Sequence, residues 1–153
     1  MHHLELKVPP PAVTAIAAVL MWLLTRAAPQ MKYTFSGSDF CAAGLAIAGI
    51  CIAALGVISF LRAKTTVNPM RPGTSTYLVV SGIYRLTRNP MYLGLLLILF
   101  GWSVFLSNVL AFLLLPAFVL YINRFQIAPE ERALDVLFGE EFRAYRSRTR
   151  RWL

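Results

Sequence analysis

The residue types that could do chemistry gather at positions 82–94, where a polar, basic turn runs directly into a long apolar segment. Arg88 and Asn89 stand immediately before Pro90, with Tyr84 and Tyr92 on either side. Ionisable groups at the edge of an apolar segment are costly in a membrane and usually mark a site. We therefore interpret this stretch as part of a candidate ligand site.

A second polar group, Glu130 and Glu131, follows the last apolar run. The two groups together would combine arginine, carboxylates, aromatic rings and the free N–H groups of a helix N-terminus. Arg88 or these N–H groups could bind a carboxylate, a glutamate could bind an ammonium, and Tyr84 or Tyr92 could contact a sulfonium or an adenine. S-Adenosylmethionine has all of these parts. A zwitterionic lipid headgroup fits the same physical description.

The composition indicates a membrane protein. Of the 153 residues, 58% are hydrophobic and only 14% are charged, whereas soluble chains carry about 25% charged residues. The net charge is +8, but no basic domain stands clear of the apolar segments. We therefore expect membrane lipids as partners and no nucleic acid.

Other kinds of site are missing from the sequence. It has no Gly-x-Gly-x-x-Gly turn, no Walker phosphate loop and no His-Glu-x-x-His pair. The only histidines, His2 and His3, leave no Ser/His/Asp set. Cys41 and Cys51 would lie about 15 Å apart on a helix, too far to bridge. We expect no metal site.

Four apolar runs predict an all-α integral membrane helical bundle of about four transmembrane helices plus a C-terminal amphipathic cytoplasmic helix. The predicted spans are 8–26, 40–62, 90–107 and 109–126, each near the ~20 residues that cross a bilayer. Residues 63–89 would form a cytoplasmic segment that binds the ligand, and 129–153 the tail helix, within one domain of 1–153. Pro116 should kink the fourth span.

Basic residues concentrate in the segment before the third span and in the tail, which indicates that both regions are cytoplasmic. Both termini are then cytoplasmic, and we expect a multi-pass protein of the inner or plasma membrane of a prokaryote. The residues behind this prediction are Arg62, Lys64, Arg71, Arg85, Arg88, Arg132, Arg143, Arg146, Arg148, Arg150 and Arg151.

The short link at Asn108 predicts that the third and fourth spans form an antiparallel hairpin, whose open end brings Arg88 near Glu130 and Glu131. The tail would fold over this entrance. Its apolar residues share one helical face in the pattern: Leu134, Leu137, Phe138, Phe142 and Tyr145. Singly, these arginines and glutamates could be topology anchors or helix-start acids. Their convergence favours a ligand site.

The same residues resemble a known family pattern. Gly82-Ile83-Tyr84, followed by Arg88-Asn89-Pro90-Met91-Tyr92-Leu93-Gly94, resembles the signature of the isoprenylcysteine carboxyl methyltransferase family, and the membrane phospholipid methyltransferases share it more loosely. The second half of the pattern is similar too: Glu130-Glu131, Phe138-Gly139-Glu140-Glu141-Phe142, Tyr145 and Arg151-Trp152.

The resemblance implies an integral membrane enzyme that transfers a methyl group from S-adenosyl-L-methionine to a lipophilic small molecule or lipid, with S-adenosyl-L-homocysteine as product. It places the cofactor against the segment before the third span, the first turn of that span and the acidic pair. The implied cofactor contacts are Thr76, Tyr77, Leu78, Val79, Tyr84, Arg88, Asn89, Pro90, Met91, Tyr92 and Glu130.

Carboxyl-methylating members of the family carry a substrate-binding arginine where this chain has Gln126, and Arg124 could substitute for it. Arg124 and Gln126 are therefore the predicted substrate contacts. A carboxylate acceptor needs only a counter-charge such as Arg124, whereas an amine or phenol needs a base such as Glu131, so these two are the predicted catalytic residues. Three functions stay open: carboxyl O-methylation, N-methylation of phosphatidylethanolamine, and a non-catalytic module that binds anionic lipid. The oligomeric state is open as well.

Overall fold

The computed structural model describes residues 5–63 and 77–153, and helices account for most of them. The α-helices are α1 Pro10–Ala27, α2 Ser38–Arg62, α3 Pro90–Leu106, α4 Leu114–Ile122 and α5 Ala128–Arg148. Short 3₁₀ segments cover Pro29–Met31, Gly82–Arg85 and Val109–Leu113, and a π-turn covers Asn123–Ile127. Within these residues there is no β-strand, only an isolated antiparallel bridge between Lys32 and Asn108. The predicted all-α class is confirmed.

Three helical stretches are long and apolar enough to cross a bilayer: α1, α2 and the continuous helical path Val109–Arg148. The remaining apolar helix, α3, has 17 residues, which is the lower end of the range that spans a membrane. Each of the four predicted spans therefore corresponds to a helix. Only the first part of Val109–Arg148 is apolar, and the charged α5 continues from it.

Glycines bring the backbones of α2 and α3 into contact. A Cβ atom built on Gly94 would lie 2.5 Å from the carbonyl oxygen of Gly49, and one built on Gly101 would lie 2.7 Å from that of Ala42. In lipid no hydrophobic effect drives helices together, so helix pairs are stabilised by the close packing of small residues. This contact holds the end of α2 next to the start of α3, where the predicted site residues lie.

The other flank of α3 packs against α1. Trp102 donates its indole N–H to the carbonyl oxygen of Ala18 at 3.0 Å, which joins the middle of α1 to the C-terminal third of α3. A buried hydrophobic cluster joins α1, α3, the 3₁₀ segment Val109–Leu113, α4 and the π-turn, and it consists of Met21, Tyr92, Leu99, Ala111, Phe118, Ile122 and Ile127. α3 therefore lies between α1 and α2.

Ser107 and Asn108 reverse the chain after α3. Ser107 has φ 49°, the left-handed conformation that commonly ends a helix. The buried side chain of Asn108 accepts the N–H of Leu110 at 3.0 Å and donates to the carbonyl oxygen of Ala28 at 2.9 Å. One side chain thus caps the next helical segment and ties the hairpin turn to the end of α1.

The fourth span and the tail form one helical path. The chain passes from the 3₁₀ turn into α4, through the π-turn and into α5 without an intervening loop. The predicted boundary between 126 and 129 falls at the end of the π-turn. Pro116, the predicted kink, lies in the first turn of α4, where its missing N–H removes no bond within that helix.

The tail bends sharply within α5. Gly139 has φ 46° and ψ −117°, a backbone conformation that residues with a Cβ rarely adopt. The apolar face predicted for the tail is therefore interrupted: Leu137, before the bend, is 44% exposed, whereas Phe142, after it, is 2% exposed. The bend directs the last turns of α5 back toward the start of α3.

Gly94→Ala should lower the free energy of unfolding by about 1–3 kcal/mol, because the new methyl group must push α2 away from α3. Gly44→Ala is the matched control, since a Cβ atom there meets no atom within 4 Å and alanine favours the helix. Unfolding in detergent micelles, followed by circular dichroism, measures both variants. Equal stability of the two would contradict the close contact of α2 and α3.

Candidate functional site

A pocket lies where the ends of α2 and α3 meet α5. It is formed by the last turn of α2, the segment 77–79, the 3₁₀ turn Gly82–Arg85, the first turn of α3 and α5 on both sides of its bend. The lining residues are Phe60, Tyr77, Leu78, Val79, Tyr84, Arg88, Asn89, Met91, Tyr92, Glu130, Glu131, Leu134, Phe142 and Tyr145. The two polar groups that the sequence separates by about 40 residues share one cavity.

Arg88 connects the start of α3 to the C-terminal residues. Its Nη1 donates to the carbonyl oxygens of Arg146 and Thr149 at 2.9 and 2.8 Å, and its Nη2 donates to Glu131 at 2.8 Å. Its backbone N–H donates to the carbonyl oxygen of Arg150 at 3.0 Å. The remaining donor of the guanidinium, Nε, is buried and has no partner among the described residues.

Glu131 is held by two guanidinium groups. Besides Arg88, Arg151 donates to it through Nε at 3.2 Å and through Nη2 at 2.5 Å. Burial alone would raise the pKa of Glu131, but the hydrogen bonds and charges of Arg151 and Arg88 outweigh it and lower the pKa below its ordinary value. Glu131 is therefore ionised at neutral pH, and its proton affinity is too low for a good general base.

Glu130 has the opposite electrostatic environment. Its carboxylate accepts the hydroxyl of Tyr92, but no described cation pairs with it. Burial raises the pKa of Glu130 to about 8, although the hydrogen bond from Tyr92 lowers it and the charge of Glu131 raises it further. At neutral pH the pocket therefore holds a carboxyl group whose ionised form lacks a counter-charge.

Aromatic rings form another part of the pocket wall. Phe60, from α2, meets the ring of Tyr84 edge to face with centroids 5.4 Å apart. Tyr145, from beyond the bend of α5, donates its hydroxyl to the carbonyl oxygen of Tyr84 at 2.7 Å. The pocket wall thus joins three separate parts of the chain.

The C-terminal residues 149–152, termed the strap, lie across the start of α3. The carbonyl oxygen of Arg151 accepts the amide of Asn89 at 2.9 Å and the hydroxyl of Thr87 at 3.2 Å. Trp152 donates its indole N–H to Asn123 in the π-turn at 3.1 Å. Asn89 was predicted to contact the cofactor. Because its amide donates to the strap, a cofactor in the pocket would compete with the strap for this amide.

Most predicted site residues lie together in the pocket. Pro90 begins α3 next to it without lining it, and Thr76 falls outside the described residues. Sequence reasoning missed Phe60, Leu134, Phe142 and Tyr145 as site residues. The last three belonged to the apolar face predicted for the tail, so their spacing was a usable signal. No sequence signal marks Phe60, because only the contact of α2 with α3 brings this residue to the site.

Arg124 and Gln126, the predicted substrate contacts, do not line the pocket. Arg124 is half exposed and lies 3.5 Å from Glu5. Gln126 is fully buried and donates its amide to the carbonyl oxygen of Val8 at 2.7 Å. Their substrate roles stay predictions that this geometry does not favour.

An apolar groove opens between α1 and α2, with α3 as its floor. Small residues form its walls, among them Ala15 and Ala18 of α1 and Ala43 and Ala46 of α2. The floor carries Leu95, Ile98, Trp102 and Phe105. Their spacing of three and four residues continues the helical face of Met91, which lines the pocket. One face of α3 therefore runs from the pocket into the groove.

Within the described part of the chain, no group of three His, Cys, Asp or Glu side chains could hold a metal ion.

Arg88→Gln should lower the free energy of unfolding by roughly 3–5 kcal/mol, because it leaves a buried carboxylate with one partner and two tail carbonyls unpaired. Arg85→Gln is the control, since Arg85 is exposed and the change should stay within about 0.5 kcal/mol. Thermal unfolding in micelles measures both. A variant of Arg88 as stable as that of Arg85 would show that the tail is held by other contacts.

Comparison with known proteins gives two matches. Residues 38–141 match the family model described as phospholipid methyltransferase. An uncharacterized protein of Haemophilus influenzae is 54% identical over 63 residues, which are 41% of this chain and the whole of that protein. No solved structure matches the chain. Because the family match covers more than half of the chain and includes both charged groups of the pocket, the chain belongs to the phospholipid methyltransferase family.

Proposed function

We propose that the chain transfers a methyl group from S-adenosylmethionine to a lipophilic acceptor at the membrane face that carries the pocket. The observation behind this proposal is the presence, in one pocket, of an unpartnered buried donor and a carboxylate without a counter-charge. The donor is Nε of Arg88, and the carboxylate belongs to Glu130. An amino-acid zwitterion needs both kinds of group side by side.

The residues present fit this cofactor. Nε of Arg88 would donate to its carboxylate, and Glu130 would bind its ammonium. The rings of Phe60, Tyr77 and Tyr84 offer surfaces for adenine and for the sulfonium. The cofactor would supply an electrophilic methyl group, while the chain binds it, orients it and excludes water.

The groove between α1 and α2 supports an acceptor that arrives from the bilayer. Its walls and floor are almost entirely apolar, and the face of α3 that begins at Met91 continues along it through Leu95. A hydrocarbon chain could lie on this face with its polar end at the pocket. The acceptor would then reach the cofactor without crossing water.

A second candidate function, N-methylation of a phospholipid amine, has its own support. An amine acceptor must lose a proton. In this second candidate function Glu130, which with a pKa of about 8 is a better base than Glu131, takes that proton instead of binding the cofactor ammonium. The counter-charge that a carboxylate acceptor needs was predicted at Arg124, which pairs with Glu5 outside the pocket. Transfer of labelled methyl groups into phosphatidylethanolamine or into a prenylcysteine separates these two acceptors.

Glu130→Gln should weaken the binding of S-adenosylhomocysteine by about tenfold or more, because an ammonium loses its charged partner, a contact of about 1.5–3 kcal/mol. Glu141→Gln is the matched control, since Glu141 is exposed and lies outside the pocket lining. Calorimetry on the protein in lipid nanodiscs measures all three affinities. No binding by any of them would reject the enzyme and favour the non-catalytic lipid-binding module.

The affinity of the wild-type protein for S-adenosylhomocysteine should rise with pH up to about 8 and then level off. Below the pKa of Glu130, about 8 in the free protein, the carboxyl is mostly protonated and must ionise before it can bind an ammonium. The affinity should therefore fall by up to about tenfold per pH unit below 8, until it reaches the affinity of Glu130→Gln. Glu130→Gln, in which the ligand titrates equally, should remove this dependence. Parallel pH profiles for both proteins would assign the titration to the ligand.

A further inference from the structure

Residues 5–9, termed the N-terminal hook, fold back from the start of α1 onto the π-turn. The N–H of Leu6 donates to the carbonyl oxygen of Phe125 at 3.0 Å. The fully buried amide of Gln126 donates to the carbonyl oxygen of Val8 at 2.7 Å. Two consecutive residues of the π-turn are thus bonded to a segment more than a hundred positions away.

A salt bridge strengthens this attachment. Glu5, whose side chain is only 12% exposed, accepts a hydrogen bond from Arg132 of α5 at 2.7 Å and lies 3.5 Å from Arg124 of the π-turn. Leu6 has φ 56°, an unfavourable conformation for a residue with a Cβ. A strained backbone persists only where its surroundings hold it, and here the contacts of Glu5, Leu6 and Val8 do so.

The π-turn determines where the following residues point. It adds one residue to an α-helical turn, and each residue of an α-helix rotates the chain by about 100°. If Asn123–Ile127 became regular α-helix, Glu130 would rotate by about 100° relative to α4. The carboxylate would then leave the hydroxyl of Tyr92. The presence of Glu130 in the pocket therefore depends on the π-turn.

We propose that the N-terminal hook is a positioning element of the cofactor site: by binding the π-turn it holds α5 in the rotation that places Glu130 in the pocket. The hook acts through Glu130, and none of its residues lines the pocket. Gln126, first predicted to contact the substrate, is in this proposal a positioning residue. The proposal rests on the proposed function, since Glu130 is taken to bind the cofactor ammonium.

Leu6→Pro tests the hook, because proline has no N–H and cannot adopt a positive φ. We expect S-adenosylhomocysteine to bind about tenfold more weakly or worse, as with Glu130→Gln, and the pH dependence of its binding to disappear. Gln126→Leu, which keeps the core filled, should change both quantities in the same direction by less. Wild-type affinity, or weaker binding with an unchanged pH profile, would overturn the positioning role.

Two controls make the result specific. Leu6→Gly keeps the N–H and tolerates a positive φ, so it should bind at least as tightly as the wild type, and Lys7→Ala changes an exposed hook residue that has no described partner. Weak binding by either would overturn the proposal.

Amide hydrogen exchange separates failure of the hook from failure of the proposed function. In Leu6→Pro the protection of the amides across 123–131 should differ from that of the wild type, whether or not the wild type binds the cofactor. If the wild type fails to bind but this difference in protection occurs, only the cofactor assignment is wrong. Unchanged protection would show that the hook does not hold α5 in place.

Discussion

The guanidinium of Arg88 is the contact on which the site depends. A buried ion pair repays its desolvation only when further hydrogen bonds satisfy the remaining donors and acceptors. Arg88 meets this condition, apart from its Nε, with Glu131 and with the carbonyl oxygens of Arg146 and Thr149. Those carbonyls lack helical partners because α5 ends there, and the bend at Gly139 directs them toward Arg88. The bend, the strap and the ion pair therefore require one another.

The membrane part and the pocket are coupled by the contact of α2 with α3. Glycines remove the side chains that would separate the helices, and α2 consequently ends beside the first turn of α3. This places Phe60 edge to face with Tyr84, so a ring from a membrane helix completes the aromatic wall of the pocket. A change in the packing of these two helices would thus alter the pocket.

The sequence predicted the features that depend on local pattern. Apolar runs located the helices, and the short link at Asn108 predicted the hairpin that brings Arg88 to Glu131. The hook was not predictable, because it rests on bonds such as that between Gln126 and Val8, 118 residues apart. The bend at Gly139 was not predictable for a related reason. Glycine permits a positive φ, but the contacts of the strap and of Arg88 that stabilise the bend come from distant parts of the chain.

The roles of the two adjacent glutamates were the hardest to predict, since neighbours in sequence differ only in the direction they face. Successive residues of a helix point about 100° apart, so Glu131 meets two guanidinium groups while Glu130 meets a tyrosine hydroxyl. Their pKa values consequently shift in opposite directions. A buried carboxylate without a counter-ion is unfavourable in the free protein, and a cation that enters the pocket removes this penalty. Selectivity for a positively charged ligand can therefore arise because Glu130 has no cationic partner among the described residues. The neighbouring Glu131 is neutralised by the ion pairs that hold the tail in place.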